Sequence, residues 1–257
     1  MRPRIYCVSI ILLILFCVDG AVELEISDRL DRNAPSSSYV LIIDGNRHVL
    51  STAGGGGRQE FALSANEEFA IYTEYYDSNS DGEITFDDST RLVVCQISEG
   101  AYREVLKKEG VTQFALNPVR PMVTICTAVN DRFGMEMLDL VARQSQVALA
   151  NKDWIAHPTI SDDGTKLAFY MSSREDRIFN QVILLNQGAD NFQTISRNVG
   201  NGWALRWHQN QLIYRYQISS GSDPRTAQHI WVAYDCTRQM YQVIDVESEI
   251  IDAATAE

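Results

Sequence analysis

Between Tyr75 and Cys95 the chain reads YYDSNSDGEITFDDSTRLVVC, which sets Asp77, Asp81, Glu83, Asp87, Asp88 and Asn79 between two apolar segments. Carboxylates held this close raise one another's pKa unless a cation lies between them. Hard cations such as calcium meet that need, taking about six to eight oxygen ligands from carboxylates, carboxamides and carbonyls. The spacing suits it: counted from Asp77, oxygen-bearing side chains Asp77, Asn79 and Asp81 fall at alternate positions, and Gly82 follows, able to make a sharp turn. Glu83 then offers a carbonyl, and Asp88 closes a loop of twelve.

This order is similar to the calcium loop of an EF-hand, D-x-[DN]-x-[DN]-G, with Asp88 where that loop has glutamate. Aspartate is a methylene shorter and reaches an ion less easily with both oxygens. The flanks depart further: EEFAIYTEYY and STRLVVCQIS alternate like strands, so no helix pair is available to open on binding. The expected role is a structural clip joining two strands, with Asp77, Asn79, Asp81, Glu83 and Asp88 as ligands. The bland alternative is a solvated acidic turn. Weak affinity, on the order of 10⁻⁴ to 10⁻³ M, suffices for calcium outside the cell.

Other chemistry is sparse. The sequence contains no G-x-S-x-G, no S-x-x-K with partners and no H-E-x-x-H. Of the four histidines, His157 and His208 fall near equivalent strands of successive repeats, where they could meet as metal ligands or acid/base groups; a structural role is the ordinary use of such residues. Trp154 and Trp203 stand just before those strands and are candidates for the rim of a binding face. Cys95, Cys126 and Cys236 lack metal-site spacing and read as small core side chains, with one disulfide among them left open.

The elements that would position these residues repeat. FALSANEEFAIYTE, FALNPVRPMVTICTA, PTISDDGTKLAFYMS and LRWHQNQLIYRYQ each carry a short apolar strand, a polar turn and an alternating strand. With Leu63, Leu116, Ile160 and Trp207 as equivalents, the spacings are 53, 44 and 47 residues, the first lengthened by the acidic loop. Each unit continues into a second hairpin, as in QVILLNQGADNFQTI, and a lone hairpin, YVLIIDGNRHVLS, precedes the first unit. Four-stranded antiparallel units of this length, repeated, predict an all-β fold: a β-propeller with four full blades and a partial fifth. One such sheet cannot cover both of its faces, whereas a stack of them can. The segments able to complete the partial blade are AVELEI, residues 21–26, and SEIIDAA, residues 248–254; an open array and a four-bladed ring with an appended hairpin are the alternatives.

At HPTISDDGTKLAFYMSSRED, residues 157–176, the chain resembles the TolB-type propeller repeat of exported bacterial proteins, Pro-x-hydrophobic-Ser-x-Asp-Gly-x-x-hydrophobic-Ala-Phe followed by Ser-x-Arg. Pro158, Ile160, Ser161, Asp163, Gly164, Leu167, Ala168, Phe169, Ser172, Ser173 and Arg174 fill those places. The repeat at Phe61 keeps Leu63-Ser64 without Asp-Gly, and the one at Leu205 has no such turn. The resemblance implies the fold, and for function a binding platform, a peptidase appendage or another exported role.

Arg2 and Arg4 precede an apolar run from Ile5 to Val18 that is short for a membrane span, and Asp19-Gly20-Ala21 offers a cleavage point, so residues 1–20 read as a secretory signal. An uncleaved anchor is the alternative. Residues 21–37 then read as a lead-in and 38–257 as the propeller domain, in a periplasmic or secreted protein without a stable membrane span after cleavage. Without residues 1–20 the chain has 20 basic against 33 acidic side chains, which repels phosphate backbones and makes nucleic acid an unsuitable partner. The expected function is a calcium-stabilised, monomeric, non-enzymatic module binding a protein or polysaccharide partner on a loop face. The alternatives are a propeller hydrolase or lyase with its site at the channel mouth, and an accessory piece of a larger assembly.

Overall fold

The segment LAFYM shows how the chain is built. Leu167, Ala168, Phe169 and Tyr170 are all buried, although successive side chains of a strand point to opposite faces. Leu167 and Phe169 join a core with Cys126, Met135, Ile155 and Ile183. Ala168 and Tyr170 join a different one with Leu205, Leu212, Tyr214 and Val232. The sheet carrying this strand is therefore sandwiched between two others, and continuous apolarity replaces the alternation of a half-exposed sheet.

The computed structural model describes residues 22–28, 34–55, 60–129, 132–152, 154–172, 181–186, 192–197, 205–217 and 229–244. Among them are five antiparallel sheets, each a meander in chain order. The first has three strands, β1 (Val22–Asp28), β2 (Ser37–Ile43) and β3 (Asn46–Gly54). The second comprises β4 (Phe61–Leu63), β5 (Phe69–Tyr75), β6 (Thr90–Ser98) and β7 (Ala101–Glu109). The third comprises β8 (Val111–Leu116), β9 (Met122–Val129), β10 (Arg132–Asp139) and β11 (Gln144–Lys152). Then come β12 (Trp154–Ile160), β13 (Lys166–Ser172), β14 (Gln181–Asn186) and β15 (Phe192–Arg197), and last β16 (Leu205–His208), β17 (Gln211–Gln217), β18 (His229–Asp235) and β19 (Met240–Ile244). Four complete blades and a partial one, the plan of a β-propeller, agree with the repeat read from the sequence.

The chain divides into two compact units, Met1–Leu63 with Ala70–Glu109, and Ser64–Phe69 with Gly110–Glu257. In the first, Tyr39, Leu41 and Ile43 of β2 pack on Phe61, Ala70, Tyr72, Val93 and Cys95 of the second sheet. Val22, Leu24 and Ile26 join that core, so the expected lead-in over 21–37 is in part strand: β1 pairs with β2 along its whole length. AVELEI thus joins the first sheet; SEIIDAA lies outside the described residues, as does the proposed signal, 1–20. Gly54 ends β3, and a Cβ there would collide with the Tyr39 ring, which is why no larger residue fits.

Turn chemistry explains where the hairpins close. Asp44-Gly45 and Glu99-Gly100 both have positive φ at two successive residues, as the two-residue turn of a twisted hairpin requires. Gln209-Asn210 does the same between β16 and β17, in place of the longer Ser-x-Asp-Gly turn. Cys95, Cys126 and Cys236 are all free, so the disulfide left open among them by the sequence is not formed.

Candidate functional site

The acidic loop leaves β5 and returns to β6, with Tyr76 N donating to Ser89 O at 3.2 Å across its base. Strands flank it, as the alternating sequence requires. Inside, the backbone curls round its own carboxylates. Asp77 Oδ1 accepts from Asp81 N at 3.1 Å, and its Oδ2 accepts from Gly82 N at 3.0 Å. Asn79 Oδ1 also accepts from Asp81 N at 2.9 Å, and Asp81 Oδ1 from Glu83 N at 2.9 Å. Gly82 makes the turn at φ +89, a conformation open to glycine and costly for side chains.

Asp88 behaves differently. It is 8 % exposed, while Asp81 and Glu83 are open to solvent. One of its oxygens accepts from Ser78 N and Oγ, both at 3.0 Å, and the other from Thr85 N at 2.9 Å and Thr85 Oγ1 at 3.4 Å. The Thr85 and Ser78 amides hold its carboxyl below the usual aspartate range. A carboxylate has about four lone-pair sites, and these four donors occupy them. In this arrangement Asp88 is the clamp that closes the loop.

The residues that fit a hard cation are therefore Asp77, Asn79 and Asp81, with the position-seven carbonyl at Glu83; they offer only oxygen, as calcium demands. Among the described residues, no three His, Cys, Asp or Glu side chains converge closely enough to hold a metal ion as they stand.

Of the other candidates, Trp154 begins β12 itself rather than standing in a loop before it. It is half-buried, and its ring lies 4.7 Å from that of Phe133. The strand thus starts earlier than the repeat suggests, and Trp154 packs on one side against Phe133. His157 sits at φ +51 in a bulge between Ala156 and Thr159. Its amide donates to Gln113 Oε1 at 2.6 Å, its ring meets Tyr170 edge-on at 5.9 Å, and burial lowers its pKa, which keeps it neutral. His208 is exposed at the end of β16. Trp203 lies outside the described residues.

Sequence reasoning missed a cleft beside the loop. It has a volume of about 550 Å³ and is lined by Val49–Ala53 of β3, by Glu74–Asp77, and by Ile84 and Arg91. Arg91 is fixed there: its Nη2 lies 2.7 Å from Glu74 Oε1, its Nε donates to the same oxygen at 2.9 Å, and its guanidinium stands 5.1 Å over the Tyr76 ring. Phe86 meets Tyr75 edge-on at 5.6 Å yet stays 49 % exposed. The available signal was Ile84 and Phe86, two apolar residues inside an acidic loop.

The blade plan and cores define an all-β protein of the propeller class. Compared by sequence, the chain matches no protein-family profile and none of the curated proteins. Solved structures do match. TolB from Acinetobacter baumannii is 12 % identical with a TM-score of 0.52, over 82 % of this chain and 49 % of that one. An oligogalacturonate lyase in complex with manganese is 13 % identical with a TM-score of 0.58, over 86 % of this chain and 61 % of the other. A chain of the nidogen/laminin complex is 13 % identical with a TM-score of 0.53, over 89 % and 76 %. The chain thus spans about half of TolB and three-fifths of the lyase. These likenesses are likenesses of fold, and they carry the TolB-like propeller resemblance no further than that. Among the described residues no helix is long and apolar enough to cross a membrane.

Proposed function

We propose that the protein is an exported, monomeric, non-enzymatic propeller module that binds a protein or polysaccharide partner and is clipped by one calcium ion in the 77–88 loop. The observation that carries the clip is the alternation of Asp77, Asn79 and Asp81 oxygens around backbone amides of the same turn, sealed by Asp88. The residues would supply hard oxygen donors, and the ion would hold the β5–β6 connection in one shape. The non-enzymatic half of the reading is supported by His157, whose surroundings are those of a packed strand residue. Support for binding comes from fold alone: TolB and a chain of the nidogen/laminin complex are similar to this chain in fold.

The test is a melting curve in millimolar calcium and in chelator, for wild type and Asp81→Ala, with magnesium and manganese as controls. Calcium at tenfold its dissociation constant stabilises the folded state by about 1.4 kcal/mol. For a domain of this size that raises the midpoint by about 3–5 °C. The variant should not respond. A wild-type midpoint indifferent to calcium returns the loop to a solvated acidic turn.

A further inference from the structure

The cleft beside the loop has a backbone wall. Val49, Leu50, Ser51, Thr52 and Ala53 all line it. Side chains of a strand alternate between faces, so a cleft over one face would meet only every second residue. Contact with five in succession means that it runs along the strand's edge. That edge is open in the sheet, because β3 is the last strand of the order β1-β2-β3. The register slips between Tyr39 and Val40, and the Leu50 carbonyl there accepts from the Tyr72 hydroxyl at 3.1 Å.

The opposite wall combines apolar and acidic groups. Of the lining residues, Ile84 is 38 % exposed and Val49 58 %, and Phe86, two positions beyond Ile84 in the same loop, is 49 % exposed. The Arg91 charge is matched by Glu74; in the loop that contributes Asp77 and Ile84 to the lining, a calcium ion on Asp77 and Asp81 would still leave the exposed side-chain carboxylates of Glu83 and Asp87 unmatched, in a chain of net charge −12. An edge with no strand beside it, next to exposed apolar side chains, invites another strand unless charge keeps it away, and the exposed charges of the 77–88 loop are all of one sign.

We propose that this cleft takes an extended basic peptide segment of a partner protein, laid as an added strand along β3. Its apolar side chains would rest on Val49 and Ile84 and reach towards Phe86, and its lysines or arginines would face Glu83 and Asp87, whose side chains the calcium reading leaves free. Strand addition gives affinity through main-chain hydrogen bonds and specificity through alternate side chains. Five residues of edge measure about 13–17 Å, so four or five residues of the partner are engaged. The proposal rests on the binding-module reading and narrows it to a protein partner.

The test uses the full chain and a fluorescein-labelled heptapeptide alternating lysine and valine, followed by anisotropy in calcium and in chelator. The same peptide N-methylated at every residue, and a glutamate–valine peptide, serve as comparisons. The lysine peptide should bind saturably and more weakly as salt rises. The methylated peptide, and separately Val49→Lys and Phe86→Ser, should each weaken binding at least tenfold; both substituted positions are exposed, and an unchanged melting midpoint confirms that each variant folds. Equal binding of the methylated peptide overturns strand addition, as does no binding at all. A dimer in sedimentation that Val49→Lys dissociates overturns it too, giving the edge to a second copy of the chain. Peptide binding together with a melting midpoint indifferent to calcium leaves the cleft standing and removes the clip; a calcium-dependent midpoint with no peptide binding does the reverse.

Discussion

Asn117 and Gly164, 47 residues apart, test how successive blades are fastened. Asn117 is 1 % exposed at the end of β8; its Nδ2 donates to Gly164 O at 2.9 Å, and its Oδ1 accepts from Val119 N at 2.9 Å and Arg120 N at 3.0 Å. Asn117→Ala removes three neutral hydrogen bonds, each worth about 1 kcal/mol, and should cost about 2–3 kcal/mol. Gly164→Ala meets two obstacles: φ is +68, costing an alanine about 1–2 kcal/mol, and its Cβ would lie 2.5 Å from Asn117 Oδ1, which forfeits the Asn117 bonds as well. The double variant keeps the backbone strain but has no carboxamide left to displace. It should therefore be more stable than the sum of the two single losses predicts, by about 2–3 kcal/mol. Urea denaturation of the four proteins measures this, and at about 2–4 °C per kcal/mol the midpoints by heat should follow. Additive losses would show that the Asn117 carboxamide does not bind the neighbouring turn.

The remaining expectations concern turns and thiols. Glu67 occupies the place that Gly164 fills in the fourth sheet and has φ +56, so Glu67→Gly should raise stability by about 0.5–1 kcal/mol in the same denaturation assay. The Asp163 carboxyl is held well below its ordinary 3.8, first by the Ser161 hydroxyl at 2.6 Å and then by the Thr165 amide and hydroxyl. A depressed folded pKa contributes stability that is complete above the unfolded value and is lost as pH falls through the folded one. Asp163→Asn should thus be less stable than wild type at neutral pH, with the gap narrowing below about pH 4 in thermal melts. Cys95 and Cys126 are fully buried, and burial pushes both thiols up to about 12, so neither should react with a thiol reagent in the native protein at about pH 8. Cys236, partly exposed and pushed by burial to about 11, should react slowly, and all three rapidly in denaturant.

How far the sequence reveals this molecule depends on whether a feature is local. Hairpins are: Asp44-Gly45 announces its turn because only residues at ease with positive φ close a two-residue connection. The 161–164 turn is equally legible, since Ser161, Asp163 and Gly164 bond one another and the Lys166 amide within six residues. The 205–217 repeat lacks that signature for a physical reason: its hairpin is two residues shorter and uses Gln209-Asn210, so there is no side-chain network to read. The acidic loop is legible to the same depth, because Asp77, Asn79 and Asp81 find their donors within five positions. Asp88 is not, since its spacing suggests a ligand whereas its surroundings make it the clamp, joined to Ser78 ten residues away. The packing of Trp154 is hidden for the converse reason, its neighbour Phe133 belonging to another strand. The cleft is least legible, as it lies between a strand edge at residues 49–53 and a loop at 77–88 that only tertiary packing brings together. An open edge leaves no mark in a strand's own alternation, because alternation records what lies above and below the strand and never what lies beside it.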